Sequence, residues 1–401
     1  MTPERGHADD LGDLASAVQA ARTHIDRIAS RARTHLSTLA APLAPAHNPA
    51  TSDGTTCPPS PVPPDLLRRA VLHASNGLTG SQAEFTPAHT EYLAYLGRDL
   101  RKFGVTMQHY VAAAEAAGRA LCDEFGHPYP GVDLTYRRAG ELGIPDGLTE
   151  LLQAVDNAVR IVALGAVEDD DAGIPASLPA TVLEVVPRTA QTTVVRLQAS
   201  SPDTGWAGQT LEVRTPASPD DWQQYASALP PNPAGYLEFH CPASAGEPEV
   251  GETWVVANPA GGLGVPTGDD APSRVVMIAV GTGLAALRAL VLDVSGTDTP
   301  PAVDLFWGVD TSRDLYGLDD LRGLERGFPW LTVTPVVADE DHTTAAETAL
   351  TTALRTASGA GAAHRDGTLV LVSGEDAATV GDEVRVLTDA GVDPEQIFAE
   401  P

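Results

Sequence analysis

The chain of 401 residues carries 54 acidic against 25 basic residues, and its formal net charge of −29 argues against a nucleic acid or an anionic membrane surface as partner. Hydrophobic residues make up 43% and aromatic ones 5%, enough for folded domains throughout, and the length exceeds one ordinary core, so two or three domains are expected. Cys57, Cys122 and Cys241 are too few and too scattered for a disulfide framework or a zinc site, and a reducing cytoplasm suits them.

The opening MTPERGHADDLGD is polar and acidic, unlike a secretory signal. Over residues 10–39, Leu11, Leu14, Val18, Ala21, Ile25, Ile28 and Leu36 recur near helical spacing and predict a helix. A proline-rich stretch at 42–64 reads as a loop. Further helices are predicted over 65–75, 88–100, 107–124 and 147–164, which makes residues 1–165 an all-α domain. An acidic, proline-bearing linker is expected at 166–178.

Six short strands follow over 179–266: TVLEVV, TTVVRLQA, QTLEVRT, WQQYASA, GYLEFHC and ETWVVA. Turn residues separate them, as in a small antiparallel β-barrel. From 272 to 401 the strands RVVMIAV, AVDLFWGV, LTVTPVVA and GTLVLVSG alternate with helices, the order of a parallel sheet in an α/β domain of nucleotide-binding type. The most apolar run, SRVVMIAVGTGLAALRALVLDV, holds Gly281, Gly283 and Arg288. It reads as strand, turn and helix, so no membrane insertion is expected. A glycine-rich turn is by itself a weak nucleotide signal, because any tight strand-to-helix junction uses the same residues.

An all-α domain, a six-stranded barrel and an α/β domain in this order resemble the flavohaemoglobins, in which a globin is fused to a ferredoxin-reductase-like module for FAD and NAD(P)H. AVGTGLAALRAL, VDLFWGVDTSRDLYGLDDLRGL with its Asp314-Leu315-Tyr316, LVLVSGEDAATV, VGETWVVANPAGGL and the ending AGVDPEQIFAE carry the resemblance across 179–401. In the N-terminal part, GRDLRKFGVTMQHY resembles the segment that bears the proximal haem ligand and, ten residues on, a tyrosine, here Tyr110. AVLHASNGL and RTHLSTLAAPLAPAHNP resemble two earlier globin segments.

The resemblance implies catalytic roles for Tyr110 and Ser373 and cofactor contacts from Gln223, Tyr225, Ala226, Gly281, Thr282, Gly283, Gly374 and Glu400. Several positions depart from the family's pattern. Leu100 stands at the proximal haem position, and leucine has no lone pair for iron, so haem is not expected and no metal ligand is assigned. The distal tyrosine and glutamine of the family fall near Ser37 and Val62. His89 shares the helix face of Leu100 but lies about three turns, ~16 Å, away, and His109 replaces no ligand in the motif.

In the flavin motif R-x-Y-S the matching residues are Gln223, Gln224, Tyr225 and Ala226, so the tyrosine is kept and the phosphate-binding arginine is not. PASAGEPEVGE is too short and too acidic for the second phosphate turn, and the aromatic residue expected after Glu400 is absent. At the pyridine-nucleotide site Ala286 and Glu375 replace prolines, and Asp310 stands where many relatives have arginine.

Three readings follow. In the first, the family's NAD(P)H-dependent nitric oxide dioxygenation operates, needing three cofactors in line. The second is a haem-free NAD(P)H-flavin oxidoreductase. The third is a non-catalytic binding or scaffold protein, with a small-molecule nucleotide or none as ligand and an unknown protein partner. The expectation is that both folds are retained and the dioxygenase activity is lost or strongly reduced, with FAD and NAD(P)H held at reduced affinity.

Overall fold

The computed structural model describes residues 11–40, 78–79, 84–131, 137–201, 205–257, 262–268, 271–338, 367–375 and 377–400. The predicted helix at 65–75, the proline-rich loop at 42–64 and Val62 lie outside them. The chain divides into two compact units, Met1–Ser177 and Leu178–Pro401.

The first unit is helical: α1 (Leu14–Thr23), α2 (Ile25–Ala40), α3 (Pro87–Leu100), α4 (Met107–Phe125), α5 (Arg137–Glu141) and α6 (Asp146–Asp171), with a two-residue ladder of β1 (Leu78–Thr79) and β2 (Glu84–Phe85) before α3. The single helix expected over 10–39 is split. The His24 N–H is shared between the carbonyls of Ala20 and Ala21, which tightens the turn and starts a second helix. Both α3 and α4 begin with a Thr-x-x-His cap: Thr86 Oγ1 lies 2.7 Å from His89 Nδ1, and Thr106 Oγ1 lies 2.7 Å from His109 Nδ1.

α3 and α6 meet backbone to backbone. A Cβ on Gly97 would overlap the carbonyl of Val162, and one on Gly165 would overlap that of Ala94. α6 runs into the acidic stretch as far as Asp171, so only residues 172–176 separate it from the next strand, fewer than the linker expected at 166–178. The helix tolerates those charges because α3 and the turn after it answer them: Arg98 donates to Glu168 at 2.9 Å, and Arg101, itself buried, donates to Asp170 at 2.8 Å and Asp169 at 3.1 Å.

The second unit opens with β3 (Ser177–Pro187), β4 (Thr192–Ala199), β5 (Thr210–Thr215), β6 (Ser218–Ala226), β7 (Tyr236–Pro242) and β8 (Thr253–Ala257). These form an antiparallel sheet in the order β6-β5-β8-β3-β4-β7. The sheet curls until its two edges meet at a Ser227–Phe239 bridge, enclosing Val182, Val195, Leu197, Val213, Phe239 and Trp254.

The rest of the unit is a five-stranded parallel sheet of β9 (Arg274–Val280), β10 (Ala302–Val309), β11 (Leu331–Val337), β12 (Thr368–Ser373) and β13 (Ile397–Glu400), in the order β11-β10-β9-β12-β13, with helices α7 (Leu284–Val294), α8 (Leu318–Gly327) and α9 (Ala377–Asp389). β9 feeds Val275, Met277 and Ala279 into one apolar layer and Val276 and Ile278 into the other, which is why its sequence is apolar without alternation. The chain proceeds outward from β9 through β10 to β11 and then returns to β12 on the other side. The strand order therefore reverses beside β9, and the carboxyl ends of β9 and β12 frame the crevice where ligands of such sheets bind.

Candidate functional site

The turn at the end of β9 is shaped by its neighbours. Gly281 adopts φ +54°, and its carbonyl accepts the indole N–H of Trp307 from β10 at 3.0 Å. A Cβ on Gly283 would run into the Ser373 carbonyl at the end of β12, so that position needs glycine for close approach. The Thr282 N–H points to Glu375, whose Oε1 accepts it at 3.1 Å. Beside the turn lies a cleft of about 230 Å³, bounded by Gly281, Asp310, Asp314, Tyr316 and Glu375 from the α/β part and by Thr192 from the barrel. Asp314 is held as a cap by Thr311, whose N–H and hydroxyl donate to it at 3.1 and 2.6 Å.

Behind the cleft is a buried polar chain that no sequence motif announced. The Tyr316 hydroxyl lies 2.8 Å from His240 Nδ1, and its ring stands edge-on to His240 and to Trp307, with centroids 5.2 and 5.3 Å away. His240 Nε2 lies 3.6 Å from Glu238, which also accepts from Arg196 at 2.7 Å and pairs with Arg288 at 3.4 Å. Burial alone would raise the Glu238 carboxyl, but hydrogen bonds from His240 and Arg196 and the charge of Arg288 hold it down at about 2. Burial lowers His240 against the pull of Glu238, which favours the neutral form of the imidazole. Burial, with Glu375 and Glu238 nearby, pushes the Tyr316 phenol up. Arg288 donates to the Ala228 carbonyl at 2.7 Å, so this cation of α7 is engaged by the barrel.

The candidate flavin strand departs from the expectation that its tyrosine is kept at a cofactor surface. Side chains alternate along β6. Gln223 and Tyr225 face Val213 and Leu211 of the barrel interior, while Gln224 and Ala226 lie on the other face. Tyr225 packs between Phe239 and Trp254 at 5.6 and 6.4 Å and donates its hydroxyl to Gln223 at 2.8 Å. Ala226 packs against the core of the α/β part. An R-x-Y pair on that outer face would occupy positions 224 and 226, which hold Gln224 and Ala226.

The remaining predicted residues converge. Ser373, buried at the end of β12, pairs in register with Glu400 of β13 and with Ala279 of β9. Gly374 follows directly, and the Glu400 carboxylate accepts the Gly262 N–H at 3.1 Å, tying β13 to the segment after β8. Gly281, Thr282, Gly283, Ser373, Gly374 and Glu400 thus belong to one neighbourhood.

Residues 277–379 match the family model of the oxidoreductase NAD-binding domain. Among curated proteins, the electron transfer component of the Pseudomonas putida xylene/toluene monooxygenase is 29% identical over 133 residues, 30% of this chain and 37% of the relative. The anthranilate 1,2-dioxygenase electron transfer component of Acinetobacter baylyi is 28% identical over 124 residues, 27% and 33% of the two chains. The chain therefore spans about a third of the length of these relatives. The crystal structure of the flavohemoglobin from Malassezia yamatoensis with bound FAD and heme superposes over 96% of this chain and 97% of that chain, with a TM-score of 0.65 at 14% identity. The chain has the flavohaemoglobin fold.

Within the flavohaemoglobin fold, Leu100 is buried at the end of α3 and offers no lone pair. Tyr110 is buried on α4 with its hydroxyl 3.3 Å from the Gly97 carbonyl, so it braces α3. His89 and His109 are engaged in their helix caps, and Ser37 is exposed, its hydroxyl on the Thr34 carbonyl at 2.8 Å. No helix among the described residues is long and apolar enough to cross a membrane.

Proposed function

We propose that this flavohaemoglobin-fold protein is a redox-family relative that keeps a pyridine-nucleotide cleft of reduced affinity, and in which nitric oxide dioxygenation is lost or strongly reduced. The observation that carries the reading is the direction of Tyr225. The side chain that would cover a flavin belongs to the barrel core, and the outer positions hold Gln224 and Ala226. The nucleotide end is supported by the Gly281–Gly283 turn at the strand-order reversal and by the match of residues 277–379. A cytoplasmic setting and a small-molecule nucleotide ligand belong to the same proposal.

The test is an absorption spectrum of the purified chain after reconstitution with hemin and FAD, followed by titration with NADH. The expected result is neither a Soret band nor protein-bound flavin bands, with weak saturable NADH binding. A Soret band together with flavin bands would overturn the proposal. The similarity to two electron transfer components favours, as a second reading, a haem-free flavin oxidoreductase, which flavin bands without a Soret band would select.

A further inference from the structure

Glu375 lies against the glycine turn at the end of β9. Its Oε1 accepts the Thr282 N–H at 3.1 Å. A Cβ placed on Gly281 would overlap the same oxygen, so the carboxylate lies directly on the turn. Neither the Gly281–Gly283 turn nor α7 behind it has a side-chain cap from its own N-cap residue. A carboxylate arriving from the end of β12 supplies the acceptor, at the helix end where the peptide dipoles favour negative charge.

The rest of the cleft adds Asp310 and Asp314, while Arg288 is engaged by Ala228 and Glu238. Resting on the nucleotide-site reading above, we infer that Glu375 is the specificity-determining residue of this cleft. Its carboxylate occupies the phosphate position on the glycine turn in competition with a dinucleotide's pyrophosphate, which binds only when the side chain swings out. Glu375 is exposed, so a change of rotamer achieves this without refolding.

The test is calorimetric titration of the full chain with NADH and, separately, with nicotinamide riboside, which carries no phosphate. The proteins compared are the wild type, Glu375→Ala, Glu375→Gln and Asp310→Asn, each checked for a native circular dichroism spectrum. Glu375→Ala removes acceptor and charge together and should tighten NADH by about tenfold or more, the equivalent of one charge-assisted hydrogen bond. Glu375→Gln keeps an oxygen for the Thr282 N–H and should gain less. Asp310→Asn removes an equal charge from the cleft without touching the turn and should gain least.

Nicotinamide riboside should be indifferent to Glu375→Ala. Equal gains for Glu375→Ala and Asp310→Asn would overturn the inference in favour of simple charge repulsion and leave the nucleotide site standing. No NADH binding to any of the four proteins would overturn both.

Discussion

Replacing Glu383 by glutamine should make the second unit more stable at neutral and alkaline pH and leave it little changed in mild acid. Glu383 lies on α9 between buried Val380 and Leu387, is 2% exposed, and neither of its carboxylate oxygens has a hydrogen-bond partner. Burial with no compensating partner pushes its carboxyl up from 4.5 to about 8. The folded unit therefore holds a proton that the unfolded chain releases. The group's contribution to stability is fully present below about pH 4.5 and is lost as pH rises through 8.

At 1.36 kcal/mol per pH unit, the loss between pH 5 and pH 8 is about 3.5 kcal/mol, and glutamine removes that dependence. All five tryptophans, Trp206, Trp222, Trp254, Trp307 and Trp330, lie in the second unit, so fluorescence-monitored urea unfolding reads this unit alone. The stability gap between variant and wild type should widen by about 3.5 kcal/mol from pH 5 to pH 8. A gap of the same size at both pH values would refute the reasoning.

Glu238 has the opposite sign: its carboxyl is held at about 2, so its stabilisation is present above about pH 4.5 and fades as pH falls towards 2. Glu238→Gln should remove about 3 kcal/mol of that acid dependence, read from tryptophan fluorescence on acid titration. Gly97→Ala should destabilise the helical unit by about 3 kcal/mol, because α6 must move away from α3, and helical circular dichroism on heating would show it. Tyr225→Ala should cost about 3–5 kcal/mol in urea unfolding, and Tyr225→Phe, which loses only the hydroxyl bonded to Gln223, about 1 kcal/mol. If Tyr225 instead faced a cofactor, the alanine variant would leave apoprotein stability nearly unchanged.

Much of the architecture was legible because period and spacing record which faces are buried. The apolar run of β9 belongs to a strand covered on both sides, and the six barrel strands were set apart by turn residues. The helix ending that the acidic stretch suggested was wrong, because Arg98 and Arg101 supply counter-charges from a helix some seventy residues earlier, and composition cannot show that. The glycine turn and the acidic residues beside it were readable. Their contact was not, since Thr282 and Glu375 meet only once β9 and β12 are neighbours. The chain from Tyr316 through His240 to Glu238 joins elements 76 residues apart and has no sequence signature. That Tyr225 points inward was not legible, for a simple reason. WQQYASA lacks the alternation of apolar and polar residues that would fix which face is inward, and matching letters to a motif says nothing about direction.

That inward tyrosine ties the flavin motif to strand register. An arginine at position 223 would stand in register with Val213, which faces the barrel interior. An arginine and a tyrosine on the outer face would need either substitutions at 224 and 226 or a one-residue slip of β6 that turns Tyr225 outward and leaves Phe239 and Trp254 without the ring they pack on. Which side chains face outward there is set by the register of β6, and each aromatic contact inside the barrel holds that register in place.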